Sequence, residues 1–600
     1  MALLPLTALL AALVSPIPAE AAGATPYEGE PVVVTGTRIG APFPARTRSV
    51  AVVGAPDIRG AGSLPAAIAL SGADVMARAP EGAQAEMSLR GSTYQQVLVM
   101  VDGVPVNDPQ TAHHGLNVPL TPDDLARIEV LRGPGSSAHG ADALGGAVNL
   151  VTAPVTGRSA RAWTRVADRG TRSTGATVGD RLGPFGQAVS FVDSRSNGFG
   201  YDRDFASQVL TTRSSLAHPG GEMAVVLGMA DREFGAFDFY TPGLGYPSRE
   251  WTRARLGVVT ETLGYRRASL KLTGHQRLHF DRFMLDQARP TKYLNEHTTR
   301  TGGFSAEAGY DLGRPGRSAL GVELVREGIT SKSLGGRTRT RRAAFVAHRL
   351  EAGNAVDLDG GVRADDSDWG TTLSPSLGAG WRPVQSVRLR ASGGKAFRVP
   401  TFTEMYYRDP ANSGNADLKP ETALSGEVGA DWDPGVGARA GVTGFVRDQA
   451  RTIDWIGPTA KGPWRAVNAG RVLFRGVEAG GGAQAGPLDL SASFGWTAAR
   501  ARYSEYSKYA LAYARRYAGA SATIPLPFGA RFTPGGRYID RAGATDYGLM
   551  DARLAYREGP AEFFIEGSNL LDRRYEEVRG VPGPGRWLGG GLSISCEGPR

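Results

Sequence analysis

Asp108, Gln110, His113 and His114 crowd one polar stretch, 107–117, that follows an apolar run. Imidazole nitrogens and carboxylate oxygens hold transition metals, but two vicinal histidines supply only two of the four ligands of a zinc-type site. Two readings stand for the pair: loop side chains that touch a ligand, or polar side chains in water. Asp202 and Asp204 form a D-x-D pair. Calcium takes six or more oxygens, a denser cluster than this neighbourhood offers. The stretch 234–251 (FGAFDFYTPGLGYPSREW) is aromatic and acidic, with Phe239 and Tyr240 near its middle. Aromatic faces suit a large flat ligand, and equally a loop core or an aromatic girdle at a membrane edge. No Ser-His-Asp set, paired carboxylates or phosphate cradle occurs in a suitable context. Runs such as Gly480–Gly482 lead into no helical pattern. Catalysis is not expected.

The elements that must position these groups are β-rich. Glycine is 82 of 600 residues, scattered with no three-residue period, as suits bends and tight turns. Six hundred residues exceed one ordinary core, so several domains or one very large closed sheet is expected. No apolar run after the N-terminus reaches the 18 residues of a membrane helix. The net charge of +9 is almost all arginine, spread among acids with no basic stripe, so nucleic acid is not an expected partner. Cys596 is the single cysteine, which excludes disulfides and cysteine-based metal sites.

From Arg158 onward, apolar and polar residues alternate. Leu490, Ala492, Phe494, Trp496 and Ala498 interleave with Ser491, Ser493, Gly495 and Thr497, and Val356–Asp365 follows the same rule. In a membrane barrel the apolar face meets lipid and the polar face a wet lumen. Ten short Gly/Pro turns, from Gly183–Gly186 to Glu558–Pro560, separate hairpins joined by longer loops. Ten such turns imply eleven hairpins and 22 strands, a number familiar for plugged outer-membrane barrels.

Residues 88–152 carry four ordered motifs: Leu89–Gly91, Val97–Pro105, Ile128–Pro134 and His139–Leu150. They resemble the plug domain of TonB-dependent outer-membrane transporters, with His139 where that family usually has Tyr. Phe397–Pro400 with Asn415–Glu421, then Asn468–Glu478 and Asn569–Tyr575 (NLLDRRY), resemble its barrel motifs. The resemblance spans about 31 to 595 and implies an all-β membrane protein. Its fold would be a 22-stranded antiparallel barrel around an N-terminal mixed α/β plug. The C-terminal strand departs from the family, because Ser595-Cys596 is followed by Glu-Gly-Pro-Arg rather than closing on an aromatic residue. That bears on assembly rather than fold.

Domain bounds follow: a signal peptide at 1–21, a periplasmic segment at 22–38, the plug at 39–153 and the barrel at 154–600. Leu3–Val14 is the apolar core of the signal, and Ala19-Glu20-Ala21 fits a cleavage site. The β-prone run Val32, Val33, Val34, Thr35 and Gly36 needs a partner strand. By resemblance it is the TonB box, which pairs with TonB by strand addition. Resemblance further implies substrate contact at Ser92, Thr93, Tyr94, Gln95, Asp108, Gln110, His113 and His114, and the aromatic stretch adds Phe239 and Tyr240 as candidates for the same contact. Arg90, Glu129 and Arg132 would latch plug to wall, and Asp202 and Asp204 are candidates for a structural calcium. No other cofactor is expected. The expected partners are TonB with ExbB and ExbD, outer-membrane lipid and lipopolysaccharide, and a corrinoid or metal chelate. The chain is expected to act as a monomer in the outer membrane of a Gram-negative bacterium, importing cobalamin or a ferric siderophore. Alternatives are a passive or ligand-gated channel and a receptor for another chelate or an oligosaccharide. A signal-transducing receptor would carry a further domain before the box, for which the ten or so preceding residues are too few.

Overall fold

The computed structural model describes residues 32–33, 35–42, 46–78, 83–353, 355–435, 437–459, 461–503 and 505–597. The signal peptide expected at 1–21, and Val34, lie outside them. Twenty-two strands, from Ser159–Ala167 to Trp587–Glu597, form one closed antiparallel barrel. The first strand pairs with the last, from Ser159 opposite Glu597 to Ala167 opposite Gly589. Among the described residues, no helix is long and apolar enough to cross a membrane.

Alternation decides which face is which. On the strand Val356–Ser367, Leu358 and Val362 are exposed, whereas Asp357, Asp359, Arg363 and Asp365 are buried. Leu490, Phe494 and Trp496 are likewise exposed on Leu488–Ala501. A water-soluble sheet would bury the apolar set. Here that set faces outward as a lipid-facing band, and the charged set meets the plug.

All ten turns read from the sequence separate consecutive strands, which is why the count of 22 holds. Gly183 shows the device: at φ 59 it closes the tight turn between Thr171–Leu182 and Phe185–Ser196. The opposite rim differs in part from expectation. Residues 168–170, 332–334 and 368–369 make connections as short as those turns. The long ones concentrate elsewhere, as between Arg398 and Glu421 and between Ala450 and Val472. Pieces of these loops form a small four-stranded sheet, Asn412–Ser413, Trp464–Asn468, Ile453–Gly457 and Tyr506–Ser507.

Inside the barrel sits a five-stranded mixed sheet in the order Val50–Gly54, Leu125–Arg132, Gly146–Thr152, Val97–Val101, Val104–Pro105. Val97–Val101 runs parallel to Gly146–Thr152. Val97–Val101 (VLVMV) reads as an unbroken apolar run because both of its faces are covered. Val97, Val99, Ile128, Val130, Val148 and Leu150 join one core with helices Ala55–Ala61 and Leu64–Ala69, while Leu98, Met100 and Leu131 fill the other face. Gly146 is obligatory: at φ 153, any Cβ there would lie 2.2 Å from the Leu131 carbonyl oxygen.

Candidate functional site

The 107–117 loop is anchored at its base by the Asn107 side chain, which accepts from the Val99 amide (2.7 Å) and donates to the Val97 carbonyl (3.0 Å). Beyond that anchor the loop is docked on the barrel wall. Asp108 is fully buried, accepting from Arg277 (2.7 Å) and Thr299 (3.1 Å) with His279 at 2.8 Å. Burial raises its carboxyl, but Arg277 and His279 outweigh that and hold it well below the usual range. The Gln110 amide donates to Asp281 (3.1 Å). His114 places Nε2 3.6 Å from Asp281 and 3.8 Å from Glu250, with its ring 4.7 Å from that of His279. Burial lowers the His114 imidazole, but the hydrogen bond and charge of Asp281 raise it to about 9.

His113 turns the other way. Its Nδ1 meets Glu86, its Nε2 lies 3.1 Å from the Tyr94 hydroxyl, and its side chain is 14% exposed. Burial raises Glu86, yet Arg78 and His113 beside it hold the carboxyl at about 2. His113 also begins a run of rings. Tyr94 lies 4.7 Å from it, Tyr240 5.9 Å and Tyr509 6.2 Å; Phe283 follows at 5.1 Å from Tyr240, and Tyr293 at 6.3 Å from Phe283. The Tyr293 and Tyr407 hydroxyls close the run in a hydrogen bond. Plug apex and wall thus share one aromatic surface. Tyr94 stands on a short turn that Thr93 and Gln96 cap reciprocally. Ser92 Oγ accepts from the Leu89 amide, so its hydroxyl serves the plug backbone. Gln95 keeps a buried Oε1 with no partner, and Phe239 is buried against Phe234 and Val581.

Lower down, Arg90 reaches Glu427 (2.6 Å) and Glu478 (2.9 Å) and lies 4.6 Å above the Phe445 ring. It is aimed there by a left-handed backbone, φ 53, followed by Gly91 at φ 75. Arg132 adds a longer contact to Glu478 at 3.8 Å. The hydrogen bonds of Glu129 run to other partners: Arg127 (2.7 Å), and the amide (3.0 Å) and hydroxyl of Thr35. Thr35 is fully buried, and its carbonyl accepts from His139 Nε2 at 2.9 Å. Val32–Val33 pairs antiparallel with Ala41–Pro42. Val32–Val33 and Thr35 are therefore folded back onto the plug.

The family model described as TonB dependent receptor-like, beta-barrel, matches residues 140–570, and that of the TonB-dependent receptor plug domain matches 45–147. The chain belongs to the TonB-dependent receptor family. This receptor is similar to the vitamin B12 transporter BtuB of Photobacterium profundum, at 25% identity over 529 residues covering 82% of each chain. It is also similar to that of Vibrio vulnificus, at 24% over 564 residues and 86% of each. In fold it matches the siderophore receptor PirA from Pseudomonas aeruginosa (TM-score 0.73, 19% identity, 92% of this chain and 100% of that one). A ferric enterobactin receptor PfeA mutant from the same organism gives TM-score 0.77 at 16% identity, covering 91% and 98%. As a TonB-dependent receptor the protein resides in the outer membrane and interacts with TonB.

In this TonB-dependent receptor, Asp202 and Asp204 both have side-chain partners. Asp202 accepts from Gln287 at 2.8 Å, and Asp204 from Arg249 at 2.9 and 3.1 Å. The sequence reading missed Glu250, Asp281, His279, His297, Phe283, Tyr293 and Tyr509. A signal for two of them was present: His279 and Asp281 alternate, with Arg277, against Leu278 and Phe280, the mark of a lumen-facing face.

Proposed function

We propose that this receptor imports a large, ring-bearing metal complex, a corrinoid or a ferric siderophore, across the outer membrane. The observation that carries this reading is the aromatic surface shared between the plug apex (Tyr94, His113) and the wall (Tyr240, Phe283, Tyr509). Such a surface suits flat, delocalised ligands with few polar anchors. The likeness to vitamin B12 transporters favours the corrinoid. The segment Val32–Gly36 is the box that TonB takes by strand addition, with ExbB and ExbD relaying the proton-motive force. The receptor works as a monomer within lipid and lipopolysaccharide. Uptake of labelled cobalamin and of ferric chelates by a deletion strain carrying the gene tests this. Energy-dependent accumulation of either is expected, and accumulation of neither would overturn it.

A further inference from the structure

Beside the aromatic surface, plug and wall share a second, chemically different grouping. Ligand atoms of His114, Glu250 and Asp281 all lie within 4.8 Å of one another, and all three side chains are buried. Three further facts converge on the same spot. Asp281 Oδ1 has no hydrogen-bond partner although the residue is only 4% exposed. His297 stands directly across from Asp281 on the neighbouring strand, is buried, and leaves Nδ1 without a partner. Gln110, whose amide nitrogen already donates to Asp281, leaves its buried Oε1 unpartnered. Buried acceptors left empty around one carboxylate are what a polar interior avoids unless a cation or a water completes it.

We propose that His114, Glu250 and Asp281 form a binding site for a divalent first-row transition-metal ion of the zinc class, with His297, opposite Asp281 but outside the 4.8 Å group, drawn in as the fourth ligand. Two imidazoles and two carboxylates make a nitrogen–oxygen set that suits such ions and lacks the six or more oxygens that calcium takes. Around a tetrahedral ion with bonds of about 2.0–2.2 Å, neighbouring ligand atoms sit roughly 3.3–3.6 Å apart. The His114 contacts at 3.6 and 3.8 Å are within a few tenths of that spacing. Second partners hold two of the ligands: Tyr240 donates to Glu250 at 2.6 Å and Gln110 to Asp281 at 3.1 Å.

The ligands come from two bodies. His114 is on the plug; Glu250, Asp281 and His297 are on three consecutive wall strands, Arg249–Tyr265, Ala268–Met284 and Leu294–Asp311. A bound ion would therefore tie plug to barrel, and any plug movement that withdraws His114 would strip one ligand and weaken the rest. The ion site does not depend on which complex the receptor imports.

The test uses the full-length receptor, purified in detergent and treated with a chelator, titrated with zinc against a chromophoric competitor. One zinc per chain is expected, undisturbed by millimolar calcium. Asp281→Asn and Glu250→Gln, which keep shape and lose only charge, should each weaken binding by about tenfold or more, as should His114→Ala. His113→Ala, whose partners are Glu86 and Tyr94, should bind as the parent does. X-ray absorption of the zinc-loaded protein should show only nitrogen and oxygen neighbours, including imidazole. Absence of stoichiometric zinc binding in the parent would overturn the site and leave His114 as the centre of an ion-pair cluster. So would equal affinity in the Asp281→Asn and Glu250→Gln receptors. Neither result bears on cobalamin or chelate uptake, which is read separately in cells.

Discussion

Glu129 accepts both hydrogens that Thr35 can offer, its amide at 3.0 Å and its hydroxyl, across 94 residues of chain. Hydrogen bonds to a charged acceptor contribute about 1.5–3 kcal/mol each when they close a buried contact. The segment proposed as the TonB box is thus held in part by this carboxylate, beside the His139 bond to the Thr35 carbonyl and the Val32–Val33 pairing. Glu129→Gln keeps the shape and discards the charge, and it should loosen the box. Hydrogen exchange at the Thr35 amide should quicken, and the affinity for a soluble TonB fragment should rise roughly tenfold. Unchanged exchange in the Gln variant would show that this contact does not control the box.

Val33→Pro acts on the opposite partner. Proline removes the backbone N–H that strand addition uses and fixes φ. Val33 pairs with Ala41 at rest, so the same change also weakens the closed form. Energised uptake should vanish while binding of substrate to whole cells persists. Uptake at the parental rate would remove 32–36 from the coupling step.

Acid should release the box. Burial pushes the His139 imidazole down, the nearby Arg38 adds to it, and the ring is held at about 3, with Arg363 and Glu323 also facing it. While Thr35 is docked the ring is neutral and donates from Nε2 to the Thr35 carbonyl. Release loses the Thr35 carbonyl, which favours the proton, but it admits water and carries Arg38 away, and these larger effects return the ring towards its ordinary value of about 6.5. Between those values the released form takes up a proton that the docked form refuses. Docking therefore weakens as pH falls below about 6.5, by up to about 1.4 kcal/mol per pH unit, and is insensitive to pH above about 7. A spin label at position 33 should gain mobility between about pH 6.5 and 4.5, and should not in a His139→Gln receptor. Identical profiles in the two would remove His139 from the docking.

Arg90→Ala should be the most damaging single change at the plug–wall contact. It removes the cation that Glu427 and Glu478, both buried, share, leaving Glu427 to Arg390 at 3.5 Å and the Ser49 amide, and Glu478 to Arg132 at 3.8 Å. Removing one partner of a buried pair costs about 3–5 kcal/mol when nothing else compensates, and the remaining contacts set the loss here towards or below the lower end. The plug should unfold or detach at a lower temperature, measured by protease cleavage within 88–152, while heat-modifiable migration shows an intact barrel. A plug as protease-resistant as the parent's would contradict this.

The fold was legible because its rules are local. Gly183 and the glycine or proline of the nine other turns mark the strand ends, and alternation such as Leu358 against Asp359 marks the two faces. The site was legible only where one loop carries it, as with Asp108, His113 and His114. Its other half comes from register. Asp281 meets His297 because two strands align at that residue, and a slip of one position would turn either side chain to the lipid. Thr35 and Glu129 likewise meet only through the folded plug. Neither spacing nor residue type foretells such pairings.

The pairing of Ser159–Ala167 with Trp587–Glu597 has a consequence for how the protein is made. Until the last strand has been exported, both rims of the growing sheet stand open, each a template for sticking to another chain. The contact that seals them spans more than four hundred residues, and long-range closure is slow. Biogenesis must therefore shelter two unpaired edges in the periplasm for nearly the whole translocation. A shortened chain lacking 587–597 would lose the seam itself and should be a target for proteolysis, a built-in check that only finished copies pass.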